Sequence, residues 1–270
     1  MVKPKFRTNS SGLPIVRDKE IDIIVEQLLT QYKPELLTNP VALDVDEFAL
    51  FFLKLNQHFE YLSNCGCIWG MMIFNNTYKV PVYVPELKQA DYISAKEGTI
   101  IIDNTLLEDK TEYRYRSTMT HECGHWIFHQ DMFRVNEHQI NLFSEMVETT
   151  IPCRGVDIDS NRFEKRAFIT SHDWMEHQAK YFSAATLMPK RAMELICNEF
   201  RYEFERRYQD IETINEQLAR EVSSIFNVSP RSAQIRIKQL GLEVKEPELI
   251  GKSFFCLNDL PSYFELLQDI

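Results

Sequence analysis

Nowhere in its 270 residues does this chain carry the 18 or so consecutive apolar residues that a membrane helix needs. Glycine is scarce at 8 residues and proline stands at 11, which excludes a collagen-like or low-complexity chain. Basic charge is in the minority: 30 Lys+Arg against 40 Asp+Glu leave a formal net charge of −10. That balance excludes a general nucleic-acid binder, whose phosphate contacts need a basic face. The basic, polar start, Met1 to Gly12, is followed by no apolar segment and is not read as a secretory signal. The six cysteines, in a chain of this length without such a signal, are expected to be reduced thiols in a cytoplasmic protein. What remains is ordinary for a globular chain, 44% hydrophobic and 26% charged, with material for a real core.

Periodicity divides the chain into helices, a small sheet, then more helices. Residues 1–13 read as a loose leader. Ile21, Ile24, Leu28 and Leu29 share one helical face between Asp18 and Tyr32, and Pro34 ends that run. A second helix is expected from Asp44 or Asp46, with Phe48, Phe51, Phe52 and Leu55 on its stripe. Ile68–Phe74, Tyr78–Val84 and Thr99–Ile102 carry strand signals, the first two separated by the turn pair Asn75-Asn76. Helical composition returns over 119–128, 174–187, 190–206 and 210–226. A last helix is expected from Ser229 as N-cap and Pro230 at the first position to Gly241. Residues 130–172, polar and irregular, read as an insertion. Thr99–Ile102 is either a plain core strand or an exposed edge that a substrate joins as an extra strand.

The stretch Thr120-His121-Glu122-Cys123-Gly124-His125-Trp126 contains H-E-x-x-H, of which chance would supply about 0.02 copies in a chain of this composition. On a helix, His121 and His125 lie one turn apart on one face and can grip one ion. Glu122, one position round, can reach a water there without ligating. The competing reading is two surface histidines on an amphipathic helix. A third ligand is needed, and His129 lies about 12 Å along the helix from His121, too far to share the ion. Glu176 is the leading candidate, beside the stripe formed by Met175, Ala179, Phe182 and Thr186. Asp173, His172 and His177 remain in contention, and Asp173-x-x-Glu176 also matches a capping box that would occupy Glu176 at the helix start.

These residues resemble the ImmA/IrrE family of metallopeptidases over roughly residues 14 to 240. The anchors are Gly98-Thr99-Ile100-Ile101-Ile102-Asp103, the HECGH box, Glu176 through Ala179 and Phe182 to Leu187-Met188-Pro189, and Phe226-Asn227-Val228-Ser229 through Arg236 to Leu240-Gly241-Leu242. The resemblance implies an α+β fold: a mostly helical zincin-like core with a small sheet and a C-terminal helix-turn-helix-like bundle. It implies a peptidase domain over 14–206, with its insertion at 130–172, and a helical segment over 207–270 packed on it. It further implies Zn2+ on His121, His125 and Glu176, with Glu122 as the catalytic base. The gap between His125 and Glu176 is longer than in compact members, and Ser183 stands where the family has Ala.

The function so implied is limited cleavage of a helix-turn-helix repressor, which derepresses stress or mobile-element genes. An acidic peptidase would be steered toward such a basic partner. The alternative is a non-catalytic regulatory or toxin–antitoxin-type binding protein with a structural zinc. His172, Tyr113, Tyr115 and Tyr181 are residue types suited to stabilising an oxyanion. Cys65-Gly66-Cys67 lacks the C-x-x-C spacing and reads as structural, and Cys123 reads as a buried small residue rather than a thiol switch. Residues 210–240 carry Arg220, Arg231, Arg236 and Lys238, offset by Glu212, Glu216 and Glu221. They read as packing on the core, with direct nucleic-acid binding not expected. The aromatic tail over 243–270, with Phe254, Phe255, Tyr263 and Phe264, covers either the core or the site.

Overall fold

The computed structural model describes residues 6–10, 12–108, 112–133, 150–154, 170–208 and 210–245. Most of the expected insertion and the tail aromatics Phe254, Phe255, Tyr263 and Phe264 lie outside these. The described chain is α+β with a small mixed sheet. It begins with α1 (Asp18–Tyr32) and a 3-10 turn, Pro34–Leu37, followed by a wide π-type turn, Glu47–Phe52. Then come β1 (Asn56–Glu60), β2 (Ile68–Ile73), β3 (Thr77–Val84), β4 (Gln89–Ala95) and β5 (Thr99–Asp103). After these follow α2 (Glu112–Phe133), β6 (Thr150–Arg154), α3 (Ser171–Leu187), α4 (Lys190–Arg207), α5 (Ile211–Phe226) and α6 (Pro230–Leu240). No helix among the described residues is long and apolar enough to cross a membrane.

The sheet order is β1-β5-β2-β6, with β1 parallel to β5 and the other pairs antiparallel. All five residues of β5 are buried between two neighbours, so Thr99–Ile102 is a core strand and not the exposed edge entertained from sequence. Its unbroken Ile100-Ile101-Ile102 run is what a strand covered on both faces requires. On one face Met72, Ile100 and Ile102 join the main core under α2. On the other, Met71, Ile73 and Ile101 pack against Val80 of the β3–β4 ribbon. Strand β6 falls inside the stretch read as an irregular insertion, and the ends of that stretch extend α2 to Phe133 and open α3 at Ser171. β6 pairs with β2, setting Cys153 opposite Gly70.

Two further expectations are corrected. The second helix starts at Asp46 as expected but is a short π-helix, Glu47–Phe52; Phe51 is exposed, and Leu55 lies beyond a left-handed Lys54, just before β1. The leader is not loose over its described part: Leu13 is buried, Phe6 packs on Phe128 and Pro14 pairs with Thr8.

Helices α2 and α3 cross at Gly124, where a Cβ would sit 3.0 Å from Ala179 Cα and 3.1 Å from Phe182 Cδ1. Gly124 thus gives up about 1 kcal/mol of helix propensity relative to Ala for a close crossing. At the C-terminal end, Ser229 caps α6 with Pro230 at its first turn, and a left-handed Gly241 closes it. The main core continues into this segment through Leu218, Val222, Phe226, Ala233 and Ile237. Arg236 is fully buried: its Nη2 donates to Asp22 Oδ1 at 2.5 Å and its Nε to the Met188 carbonyl at 3.2 Å. Tyr181 donates to the other Asp22 oxygen at 2.9 Å. The guanidinium therefore ties α6 to α1 and α3 and offers no charge to an outside partner.

Candidate metal centre

Helix α2 runs through the motif because its face toward α3 and the sheet is buried from Thr118 to His125, including His121, Glu122 and His125 themselves. Glu176 comes from α3, and the cap at that helix start decides its availability. Thr170 is the N-cap, accepting from the Asp173 amide at 3.1 Å, while Asp173 accepts from the Thr170 amide at 3.0 Å. The capping box is thus one turn earlier than the Asp173…Glu176 alternative, and Glu176 stands inside the helix facing α2. Among the other contenders, Asp173 is occupied by the cap and His177 meets Asp18 at 2.7 Å. His172 is exposed one turn before Glu176, near enough for its charge to bear on His125.

Three ligand-type side chains converge. His121 Nε2 lies 3.0 Å from His125 Nε2; Glu176 Oε2 is 3.3 Å from the first and Oε1 is 3.4 Å from the second. A tetrahedral ion with bonds of 2.0–2.1 Å sets its ligand atoms about 3.3–3.4 Å apart, so this triangle has the size of one face of such a shell. Two nitrogens and a carboxylate are a donor set suited to zinc. Both oxygens of the buried Glu122 lack a hydrogen-bond partner, a costly arrangement for a site holding nothing that needs them. Burial, reinforced by the Glu176 charge, pushes the Glu122 carboxyl well above its usual range. Burial also pushes Glu176 up, but the imidazoles beside it, His125 first and then His121, outweigh burial and hold that carboxyl well below its usual range.

Gly70 makes room for Glu122. A Cβ there would lie 2.9 Å from Glu122 Oε1 and 2.6 Å from the Thr118 methyl. Cys153, paired with Gly70 and so projecting from the same face, brings its thiol to within 4.8 Å of ligand atoms of His121 and Glu122. The sequence reading missed Cys153, because strand pairing across the 130–172 stretch leaves no local signal.

His129 lies outside the triangle, as its distance along the helix required, but it orients one of the candidate ligands. The Pro14 carbonyl can only accept, so Gln178 Nε2 points at it (2.8 Å) and Gln178 Oε1 faces His129 Nε2 at 3.0 Å. The His129 proton then sits on Nε2, leaving Nδ1 to accept from His125 Nδ1 at 3.0 Å. His125 Nε2 is left with its lone pair toward the triangle, as a metal ligand requires. Burial, and after it the His125 charge, lowers the His129 pKa to about 3, keeping this relay neutral. The i, i+4 ladder of histidines visible in the sequence was the available signal.

The expected oxyanion types separate. Tyr181 is spent on Asp22, and Tyr115 donates to Asp46 while accepting from Gln57 at 2.6 Å. Cys123 is buried and its thiol is pushed up by burial, consistent with a packing role. A small cleft reaches His121 between α2, α3 and α6, lined by Lys180, Ser183, Leu187, Val228 and Ile235 among others. Compared with models of known protein families the chain matches none, and among curated proteins no match is found.

Proposed function

We propose that this protein is a zinc-dependent endopeptidase of the ImmA/IrrE type, with a zincin-like core and a helix-turn-helix-like C-terminal bundle. The observation that carries the reading is the His121–His125–Glu176 triangle with an unpartnered, buried Glu122 beside it. His121, His125 and Glu176 would hold the ion, three protein ligands leaving a position open. Bound there, zinc supplies Lewis acidity toward a carbonyl and lowers the pKa of its water to about 7. Glu122 would take a proton from the attacking water and deliver it to the leaving amine, a task its buried, unpartnered carboxyl is placed to perform. His172, exposed one turn before Glu176 on α3, would face an oxyanion, while Tyr115 and Tyr181 are engaged elsewhere. The cleft at His121, mostly apolar with Lys180 at its side, suits a substrate side chain. The substrate class is a helix-turn-helix repressor, toward whose basic face a chain of net charge −10 is steered.

The test is limited proteolysis of a helix-turn-helix repressor encoded beside this gene, with fragments identified by mass spectrometry. Wild type should cut at one or a few bonds. Glu122→Gln should keep its metal and its melting temperature yet lose cleavage by at least about 100-fold. Cleavage unchanged in Glu122→Gln would overturn the mechanism.

One observation favours a second reading. Cys153 brings its thiol within 4.8 Å of ligand atoms of His121 and Glu122, on the side of the triangle where a shift of that thiol would add a fourth protein donor, as in a structural site. The protein would then be a binding module with a structural zinc, in which Cys153→Ala destabilises the fold and Glu122→Gln changes nothing.

A further inference from the structure

The turn between β1 and β2 holds two thiols that the metal centre does not use. Cys65 and Cys67 are both exposed, and their sulfurs lie 2.7 Å apart. Gly66, at a φ of +64° in the left-handed region, bends the backbone so that the flanking side chains meet. The turn is held in this shape from both ends. The Ser63 hydroxyl accepts from the Cys67 amide at 3.1 Å and lies 3.8 Å from its sulfur. Trp69 Nε1 donates to the Gly66 carbonyl at 3.1 Å. The other described cysteines, Cys123, Cys153 and Cys197, are buried, so solvent-borne reagents meet this pair first.

We propose that Cys65 and Cys67 form a redox-active dithiol that closes to an intramolecular disulfide by exchange with a small-molecule disulfide of the glutathione class. A thiolate needs only an exposed partner sulfur in line, and a disulfide bond of about 2.0 Å is a short step from the present spacing. Cys65 attacks one sulfur of the reagent, forming a mixed disulfide and expelling one small thiol. Cys67 then attacks the Cys65 sulfur, expelling the second. Two protein thiols and one small disulfide thus become one protein disulfide and two small thiols, the two thiol protons passing to the products. Hydrogen bonding from Cys67 lowers the Cys65 pKa, in the direction that favours it as the attacking sulfur. The turn leads directly into β2, the strand whose Gly70 accommodates Glu122. This inference does not rest on the peptidase reading.

The test uses the full chain, incubated with excess glutathione disulfide, quenched by alkylation and cut with trypsin. Cleavage after Lys54 and Lys79 releases one peptide, residues 55–79, holding Cys65 and Cys67 and no other cysteine. The expected product is that peptide lighter by two hydrogens, unalkylated and without glutathione. Cys65→Ser and Cys67→Ser should each stop at a glutathione adduct on the remaining cysteine. Recovery of the wild-type peptide fully alkylated, or carrying glutathione in place of an internal disulfide, would overturn the proposal.

Discussion

His125 Nδ1 lies 3.0 Å from His129 Nδ1, and the direction of that hydrogen bond is dictated by the Pro14 carbonyl through Gln178. A backbone oxygen in the N-terminal segment thereby selects the tautomer of a histidine in the metal-ligand triangle. His129→Leu should therefore leave three ligands in place but weaken zinc binding roughly 10–100-fold. Competition against a chromogenic chelator reads this directly, and unchanged affinity with an intact fold would remove His129 from the relay.

The same residue gives the metal-free protein a pH signature. His129 titrates at about 3 in the fold, well below the ordinary value of roughly 6.5 it regains on unfolding. Between those values the unfolded chain binds the proton and the folded one does not, so this contribution is whole above pH ~6.5 and lost progressively as pH falls toward ~3. Urea unfolding of the metal-free protein at pH 7.5 and 4.5 should show a smaller loss in His129→Gln than in wild type. Equal losses would contradict the assignment.

Gly70 tests the placement of the base. An alanine methyl would collide with Thr118 Cγ2 at 2.6 Å and Glu122 Oε1 at 2.9 Å. Gly70→Ala should displace the carboxylate, cutting peptide cleavage about 100-fold, since displacement of a reacting group by an ångström costs that much. Zinc stoichiometry, read by atomic emission, should stay unchanged because the atoms nearest the new methyl belong to Thr118 and Glu122 and not to the three proposed ligands.

Arg236 carries the junction between α6 and the rest. Arg236→Met leaves Asp22 buried without its guanidinium and should cost about 3–5 kcal/mol in urea unfolding. The double substitution Asp22→Leu with Arg236→Met should recover much of that loss, because no uncompensated charge remains. Failure to recover would mean that the pair is held by packing alone.

What the sequence disclosed follows from the range of the interactions involved. The i, i+4 spacing of His121 and His125, and the Ser229-Pro230…Gly241 frame of α6, are written within single helices and were readable there. The close approach of Gly124 to Ala179 joins two helices and leaves no signal within either one. Strand order is different in kind. Whether Thr99–Ile102 lies at an edge depends on β1, a polar stretch whose Asn56–Glu60 pattern shows no apolar alternation. The place of Cys153 beside His121 depends on the register of β6 against β2. Phe51 satisfied a helical stripe yet ended exposed, since the wide π-type turn rotates it away from the core. The pairing of Arg236 was not legible because its partner Asp22 lies at the opposite end of the chain.

The most direct test of the account is X-ray absorption at the zinc edge of the metal-loaded protein. An open centre on His121, His125 and Glu176 predicts one ion per chain with only nitrogen and oxygen neighbours, at about 2.0–2.1 Å. A sulfur neighbour at about 2.3 Å that disappears in Cys153→Ala would contradict it, marking instead a closed, structural site.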